Sequence, residues 1–268
     1  MKLVLLTGPG LPHKYIATRL SENFDLELVI SENNAEDPEE IFPDGEAEMP
    51  FIKEHFRKRR QSELEFFEDY REFPEEVPLR ELPEGEINSE EISELVENIA
   101  PDYIILFGSS ILRSSLMDTY RSRIIHLHLG LFPYYSGWAT NLFPFYHDEP
   151  ECIGASLHLV SVEPEEGEIL HQLRPEMEAE DDLHRIGNKV IWKAGIQLPG
   201  VLRGFASQNI TPQPQMPAGR ICLQEDLSPE VLQEIYRKFG QGMIEGYLRD
   251  KERRDAAQRI VDADLQLE

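Results

Sequence analysis

Two histidines one residue apart, His126 and His128, stand at the end of an apolar run, Ile124-Ile125-His126-Leu127-His128-Leu129. In a strand, side chains alternate between the two faces, so this run puts both imidazoles on one side and Ile125, Leu127 and Leu129 on the other. Neighbouring imidazoles can hydrogen-bond an oxyanion, transfer protons near neutral pH, or ligate a metal. If both were protonated each would lower the pKa of the other, while a nearby carboxylate would favour keeping one proton, so the pair is expected to be pH-sensitive. The carboxylate would come from Glu163, Glu165 or Glu166, in a turn that ends at Gly167 just beyond the segment carrying His158. Gly130 ends the histidine run and lets backbone approach a ligand closely, and Pro133 and Gly137 shape the loop that follows.

His-x-His with a carboxylate is also the pattern of a zinc or iron hydrolase that uses metal-bound water as its nucleophile. His147, His158, His171 and His184 could each add a third nitrogen, but none stands at a diagnostic spacing from His126, and no metal is expected. Near the N-terminus, Thr7-Gly8-Pro9-Gly10-Leu11-Pro12-His13 follows a strand-like run, with Lys14 beside it. Its backbone N–H groups could meet an anionic part of a substrate, or the segment is a tight strand-to-helix turn stiffened by Pro9 and Pro12.

Residues 101–175 resemble the folate-dependent formyltransferases, whose core reads Asn-x-His, a small residue, Leu-Leu-Pro, a Tyr-Arg-Gly turn and later Asp-x-Gly-x-Ile. The counterparts are His126-x-His128, Gly130-Leu131-Phe132-Pro133, Tyr135-Ser136-Gly137 and Glu165-x-Gly167-x-Ile169. Order and spacing match, while His126 stands for the Asn, Glu165 for the Asp and Ser136 for the Arg. Pro101–Leu112 looks like the family's strand and glycine turn whose backbone lines the pterin pocket. Trp138–Val160 is similar in pattern to members that formylate small amines, especially nucleotide-activated amino sugars.

The resemblance covers about residues 1–205 and implies a doubly wound, mostly parallel α/β sheet of Rossmann-like form. It implies transfer of a formyl group from 10-formyltetrahydrofolate to a small-molecule amine, an amino sugar nucleotide being one acceptor. His128 would be the donor facing the oxyanion. Glu165 would hold the histidine in its working state and help draw the amine proton, and His126 would offer an N–H in either tautomer. Gly108, Ser109, Ser110, Ile111, Leu112, Gly130, Leu131, Phe132 and Pro133 would bind the folate, and Gly8, Gly10, His13 and Tyr135 the acceptor. Two alternatives keep the scaffold: a catalytically altered or inactive binding protein, and a transfer in which water is the acceptor.

The elements that must position these groups can be read from periodicity. Lys2–Thr7 and Leu26–Ser31 are strand-like and flank a helical segment, Lys14–Asn23, which makes a βαβ opening. An insertion spans about residues 32–86, acidic and Pro-rich, with one helix over Phe51–Tyr70. A helix capped by Asn88 and boxed by Glu91 follows and stops at Ala100-Pro101. Tyr103–Phe107, Arg123–Leu129 and Ala155–Ser161 read as strands, and Glu168–Arg174 as a further strand or hairpin partner. Asp181–Leu198 is helical and broken at Pro199-Gly200. Residues 206–268 divide into a Pro-rich linker and a helical tail that starts with Ser228 as N-cap and Pro229 at its first position. The tail's stripe, Val231 to Tyr247, must cover the main domain or a second subunit, so a homodimer is one outcome.

The 268 residues carry 26 Lys and Arg against 51 Asp and Glu, a formal charge of −25. Nucleic-acid binding draws most of its affinity from cations that neutralise phosphates, so no nucleic-acid partner is expected, and Lys53–Arg60 reads as one basic face among acidic neighbours. The apolar stretch at Leu3–Leu6 is too short for a signal peptide or a membrane span, so no membrane partner is expected. Cys152 and Cys222 suit a reducing cytoplasm and read as ordinary thiols.

Overall fold

A computed structural model of the chain describes residues 1–33, 41–42, 48–161, 167–215 and 219–265. Among them, β1 (Lys2–Thr7), helix α1 (Leu11–Ser21) and β2 (Asp25–Asn33) form the βαβ opening, with β1 and β2 parallel. Helix α2 (Met49–Phe67), β3 (Leu79–Pro83), helix α3 (Glu90–Ile99) and β4 (Tyr103–Phe107) follow. Next come β5 (Ile124–His128), β6 (Tyr135–Gly137), β7 (Ala155–Leu159), β8 (Ile169–Leu173) and the long helix α4 (Leu183–Ala206). The tail holds β9 (Arg220–Cys222) and helices α5 (Pro229–Gly240), α6 (Met243–Arg249) and α7 (Lys251–Ala257).

Seven strands make one sheet in the order β3-β2-β1-β4-β5-β7-β8, parallel up to β5 and antiparallel at β7 and β8. Strand alternation divides the core between the two faces. Leu3, Leu5, Ile105, Phe107, Ile125, Leu127, Leu157 and Leu159 pack with Tyr15, Ile16 and Leu20 of α1 and Ile186, Val190, Ala194 and Leu198 of α4. Val4, Leu6, Ile104, Leu106 and Ile124 face the other way, against Ile92 and Val96 of α3. On that second face the apolar cluster stops at β5, and His126, His128 and His158 continue it.

Three readings need correction. The cap of α3 is Ser89, whose side chain accepts from the Ile92 N–H. Asn88 instead bridges two backbone groups, donating to the Ile111 carbonyl (3.0 Å) and accepting from the Arg113 N–H (2.6 Å).

Pro199 does not end α4, which runs on to Ala206. A proline inside a helix orphans the carbonyl four residues back. That carbonyl, of Gly195, accepts from Arg19 Nε at 3.4 Å, so the lost bond is replaced from α1.

The segment after α4 is more than a linker. Gln213 exchanges backbone hydrogen bonds with Ile169, and β9 pairs with β6. The tail breaks at Gly240–Gly242 and folds onto the main domain, burying Leu232, Ile235, Ile244 and Tyr247. Beyond α7 the chain returns to the outer edge of β8, where Gln172 N–H donates to the Val261 carbonyl (2.6 Å) and Val261 N–H to Gln172 Oε1 (3.0 Å). No helix of the described residues is long and apolar enough to cross a membrane.

Candidate active site

His126 and His128 share a face of β5 as strand geometry requires, with ring centroids 5.5 Å apart. Antiparallel pairing places His158 of β7 directly opposite His126. Its Nε2 lies 3.2 Å from His126 Nδ1, and its Nδ1 lies 3.0 Å from the Leu159 carbonyl. Phe132 stacks on His128 at 4.6 Å and meets His158 edge-on at 5.1 Å. His128 and His158 are 9% and 2% exposed, while His126 is only half-buried.

Burial away from water disfavours charged imidazole. It pushes His128 down to about 3, assisted by His158, and His158 to about 4. Burial, then His158 and His128, also hold His126 well below the usual range. All three rings are therefore neutral near pH 7.

His128 Nε2 lies 3.2 Å from Thr140 Oγ1, whose own hydroxyl hydrogen goes to the Leu129 carbonyl. The hydroxyl has a single hydrogen, so His128 Nε2 must supply the one between them and is the protonated nitrogen.

The loop after β5 is held from beneath. Ser156 Oγ donates to the Gly130 carbonyl (2.7 Å) and accepts from the Phe132 N–H (3.2 Å), and Gln172 Nε2 donates to the Phe132 carbonyl (2.7 Å) and to Ser156 Oγ (2.9 Å). The Phe132–Pro133 peptide is cis. Gly130, Leu131 and Phe132 are buried and Pro133 is half-buried, so this loop can meet a ligand mainly through Pro133 and through backbone.

Residues 108–112, after β4, are more open. Gly108 has φ +68°, Ile111 is 56% exposed and Leu112 is buried. Glu32, fully buried at the end of β2, sets this loop. Its carboxylate accepts from the Ser110 N–H (2.8 Å) and, on its other oxygen, from Gly85 (2.8 Å) and Ile87 (3.3 Å).

Gly8 and Gly10 open into α1, but the Gly10 N–H is committed to His13 Nδ1 at 3.1 Å. That contact corrects the expectation of a free donor there. His13 packs on Phe107 at 4.9 Å, and its Nε2 stands 2.3 Å from where a Gly108 side chain would begin, which joins the first loop to the β4 turn. Tyr135 is buried and offers no surface to an acceptor. Its hydroxyl bonds His147 Nδ1 (3.0 Å) and Glu149, its ring belongs to the cluster around Phe143 and Cys222, and it is 1% exposed. Glu163, Glu165 and Glu166 lie outside the described residues. Among the described residues no group of three or more His, Cys, Asp or Glu is placed to hold a metal ion.

Sequence does not single out Thr140, Ser156, Gln172 or Glu32 as site residues, and it offers His158 only as a possible third nitrogen for a metal. His158 alone carried a usable signal, since a hairpin between Ala155–Ser161 and Arg123–Leu129 brings a second strand's histidine to the pair.

Residues 48–202 match the family described as formyl transferase. The chain is 23% identical over 106 residues to the methionyl-tRNA formyltransferase of Finegoldia magna, a match that covers 39% of the chain and 34% of that relative. Its fold is similar to the phosphoribosylglycinamide formyltransferase of Anaplasma phagocytophilum, with TM-score 0.56 and 19% identity over 83% of this chain and 97% of that one. It is equally similar to a sugar N-formyltransferase from a Shewanella species, with TM-score 0.56 and 16% identity over 84% and 78% of the two chains.

Proposed function

The chain belongs to the formyl transferase family, and from that premise we propose that it moves a formyl group from 10-formyltetrahydrofolate to an amino group of a small molecule. The observation that carries the proposal is His128, a neutral imidazole with a fixed Nε2–H, clamped between Phe132 and Thr140 on the face of β5 that it shares with His126.

As an amine attacks a formyl carbon, negative charge builds on the carbonyl oxygen. A donor already oriented and already removed from water stabilises that charge without reorganising, and is typically worth about 10²–10³ in rate. An approaching formyl oxygen would compete with Thr140 for the His128 N–H. Because His128 is neutral down to low pH, its role is that of a hydrogen-bond donor throughout the physiological range.

The folate would supply an activated formyl group. The residues that fit it are the open turn Gly108–Leu112, with its exposed Ile111 as an apolar platform, and the backbone of Gly130–Pro133. Glu32 and Asn88 hold the first of these loops, and Ser156 and Gln172 the second. A small acceptor is favoured over a nucleic acid by the formal charge of −25, and an amino sugar nucleotide is a reasonable first candidate.

Thermal unfolding with reduced folates, then with nucleotide sugars, tests the reading, because a ligand that binds only the native state raises its melting temperature. Stabilisation by a reduced folate is expected. His128→Ala should retain that stabilisation while turnover falls at least ~10²-fold, as a transition-state role requires. No response to any reduced folate, or full turnover by His128→Ala, would overturn it.

A further inference from the structure

The hydrogen bonds around His126 determine which of its nitrogens carries hydrogen. The Leu159 carbonyl can only accept, so His158 Nδ1, 3.0 Å away, must be protonated. A neutral imidazole has one N–H, which leaves His158 Nε2 bare. His126 Nδ1 lies 3.2 Å from that bare nitrogen, and the hydrogen between them must therefore be its own. Neutral His126 then carries its only hydrogen on Nδ1 and presents a lone pair at Nε2. Among the described residues that Nε2 has no hydrogen-bond partner, and the residue is half-buried where His128 and His158 are buried.

His128 has the opposite assignment, with its hydrogen on Nε2 through Thr140 and the Leu129 carbonyl. The two rings are 5.5 Å apart on one face of β5. One offers a donor where negative charge forms on oxygen, and the other an acceptor where a nitrogen must lose a proton.

We propose that His126 is the proton acceptor for the attacking amine, and that His158 is the positioning residue that gives it this role by fixing its tautomer. The inference rests on the formyl-transfer reading and assigns a division of labour within it. The new bond forms between the amine nitrogen and the formyl carbon, and the bond between that carbon and N10 of the folate breaks. The electron pair of the broken bond stays on N10. The proton leaves the amine nitrogen for His126 Nε2 and passes from there to N10, so the imidazole ends as it began. No oxidant or other co-reactant is needed.

This differs from the expectation that His126 serves the oxyanion through an N–H, because its one hydrogen is spent on His158. The relay is tightly built. A side-chain carbon on Gly167 would begin 1.4 Å from the Leu159 carbonyl oxygen and 3.1 Å from His158 Nδ1, so only glycine lets the backbone close over that hydrogen bond. Among the described residues, the titratable groups facing His126 are His128 on its own strand and His158 on β7; across β4 its register partner is Leu106.

Nitrogen-15 spectra of the imidazoles in the full chain at pH 7 provide the first test, independent of turnover. Protonated Nδ1 and bare Nε2 are expected for both His126 and His158, with the reverse for His128. A protonated Nε2 on His126 overturns the proposal.

Kinetics provide the second test. His126→Asn removes the acceptor and should lower kcat by about 10²–10⁴. His158→Leu should lower kcat by about tenfold or more without raising the KM for the folate, since a freed imidazole samples the wrong tautomer. His158→Gln, whose amide oxygen can accept from His126 Nδ1, should recover most of the loss. A His158→Leu variant that loses thermal stability but keeps kcat overturns the positioning role. Should the wild-type chain transfer no formyl group at all, the proposal falls together with the reading beneath it. The spectra would then show the tautomers as assigned, a result distinct from a failed relay.

Discussion

Acidification should unfold this protein through its histidines before its carboxylates are protonated. His55, His128, His158 and His184 are 7%, 9%, 2% and 6% exposed. Burial, the first cause in each case, pushes His55 and His128 down to about 3 and His158 and His184 to about 4. His55 and His184 also share one phenol oxygen, that of Tyr236, at 3.1 and 2.9 Å, with Lys58 and Arg59 adding positive charge nearby. Unfolded, each ring takes a proton below about pH 6.5, while the native state refuses it until much lower pH. The unfolded state therefore binds more protons in this interval, and stability falls as pH drops. It is essentially complete by about pH 7.5.

At pH 5 each ring costs about 2 kcal/mol and the four together about 8 kcal/mol, an order-of-magnitude figure to set against a typical total stability of about 5–15 kcal/mol. An opposing effect is that protonation relieves repulsion within a chain of formal charge −25. Repulsion between exposed charges is largely screened beyond about 8 Å at physiological salt, whereas desolvation of buried rings is not, so the histidine effect wins. Urea unfolding at pH 7.5, 6.5 and 5.5 in 0.15 M salt measures it, provided the denaturant slope stays constant. A loss of about 1 kcal/mol is expected from 7.5 to 6.5, followed by a further loss of about 4 kcal/mol to 5.5. A flat profile down to 5.5, or stability that rises throughout, would refute the reasoning.

Three further outcomes follow from particular contacts. In α4 a side-chain carbon at Gly187 meets nothing within 4 Å, whereas at Gly195 it would lie 2.3 Å from the Tyr15 ring. Gly187→Ala should therefore stabilise by about 0.5–1 kcal/mol through helix propensity, and Gly195→Ala destabilise by about 1–3 kcal/mol, in urea unfolding. Glu32→Gln leaves one oxygen for three N–H donors and turns an amide N–H₂ toward a donor, so stability should fall by about 1–3 kcal/mol and reduced-folate affinity, measured by calorimetry, should weaken. Val261→Pro removes the N–H that Gln172 Oε1 accepts, and amide exchange at Phe132 should quicken relative to Val261→Ala as the Gln172–Ser156 support loosens.

The strands were legible because a buried strand's signature is local. Tyr103–Phe107 is apolar throughout and bounded by Pro101-Asp102 and Gly108, so its limits agree with the structure to the residue. The end of α4 is not legible because the rule that proline ends a helix assumes an orphaned carbonyl, and the donor that rescues Gly195 is Arg19, 176 positions away. The Asn88 cap failed for a similar reason. Asn88 and Ser89 both suit an N-cap, and the loop at Ile111–Arg113, which sequence does not place, claims the side chain of the first.

At the site, the face shared by His126 and His128 follows from a period of two within one strand, and the structure adds what no local period contains. His158 reaches His126 only through the register of β5 against β7, which a one-residue slip would invert by turning His158 to the opposite face. The state of His126 depends one step further out, on the Leu159 carbonyl, a backbone group that every residue possesses and that therefore leaves no mark on composition or motif. A histidine standing where the resembled family has an asparagine thus reads, from sequence, as a substitute donor. Within this hydrogen-bond chain it is held as an acceptor, and the same side chain would be held as a donor if His158 took its other tautomer.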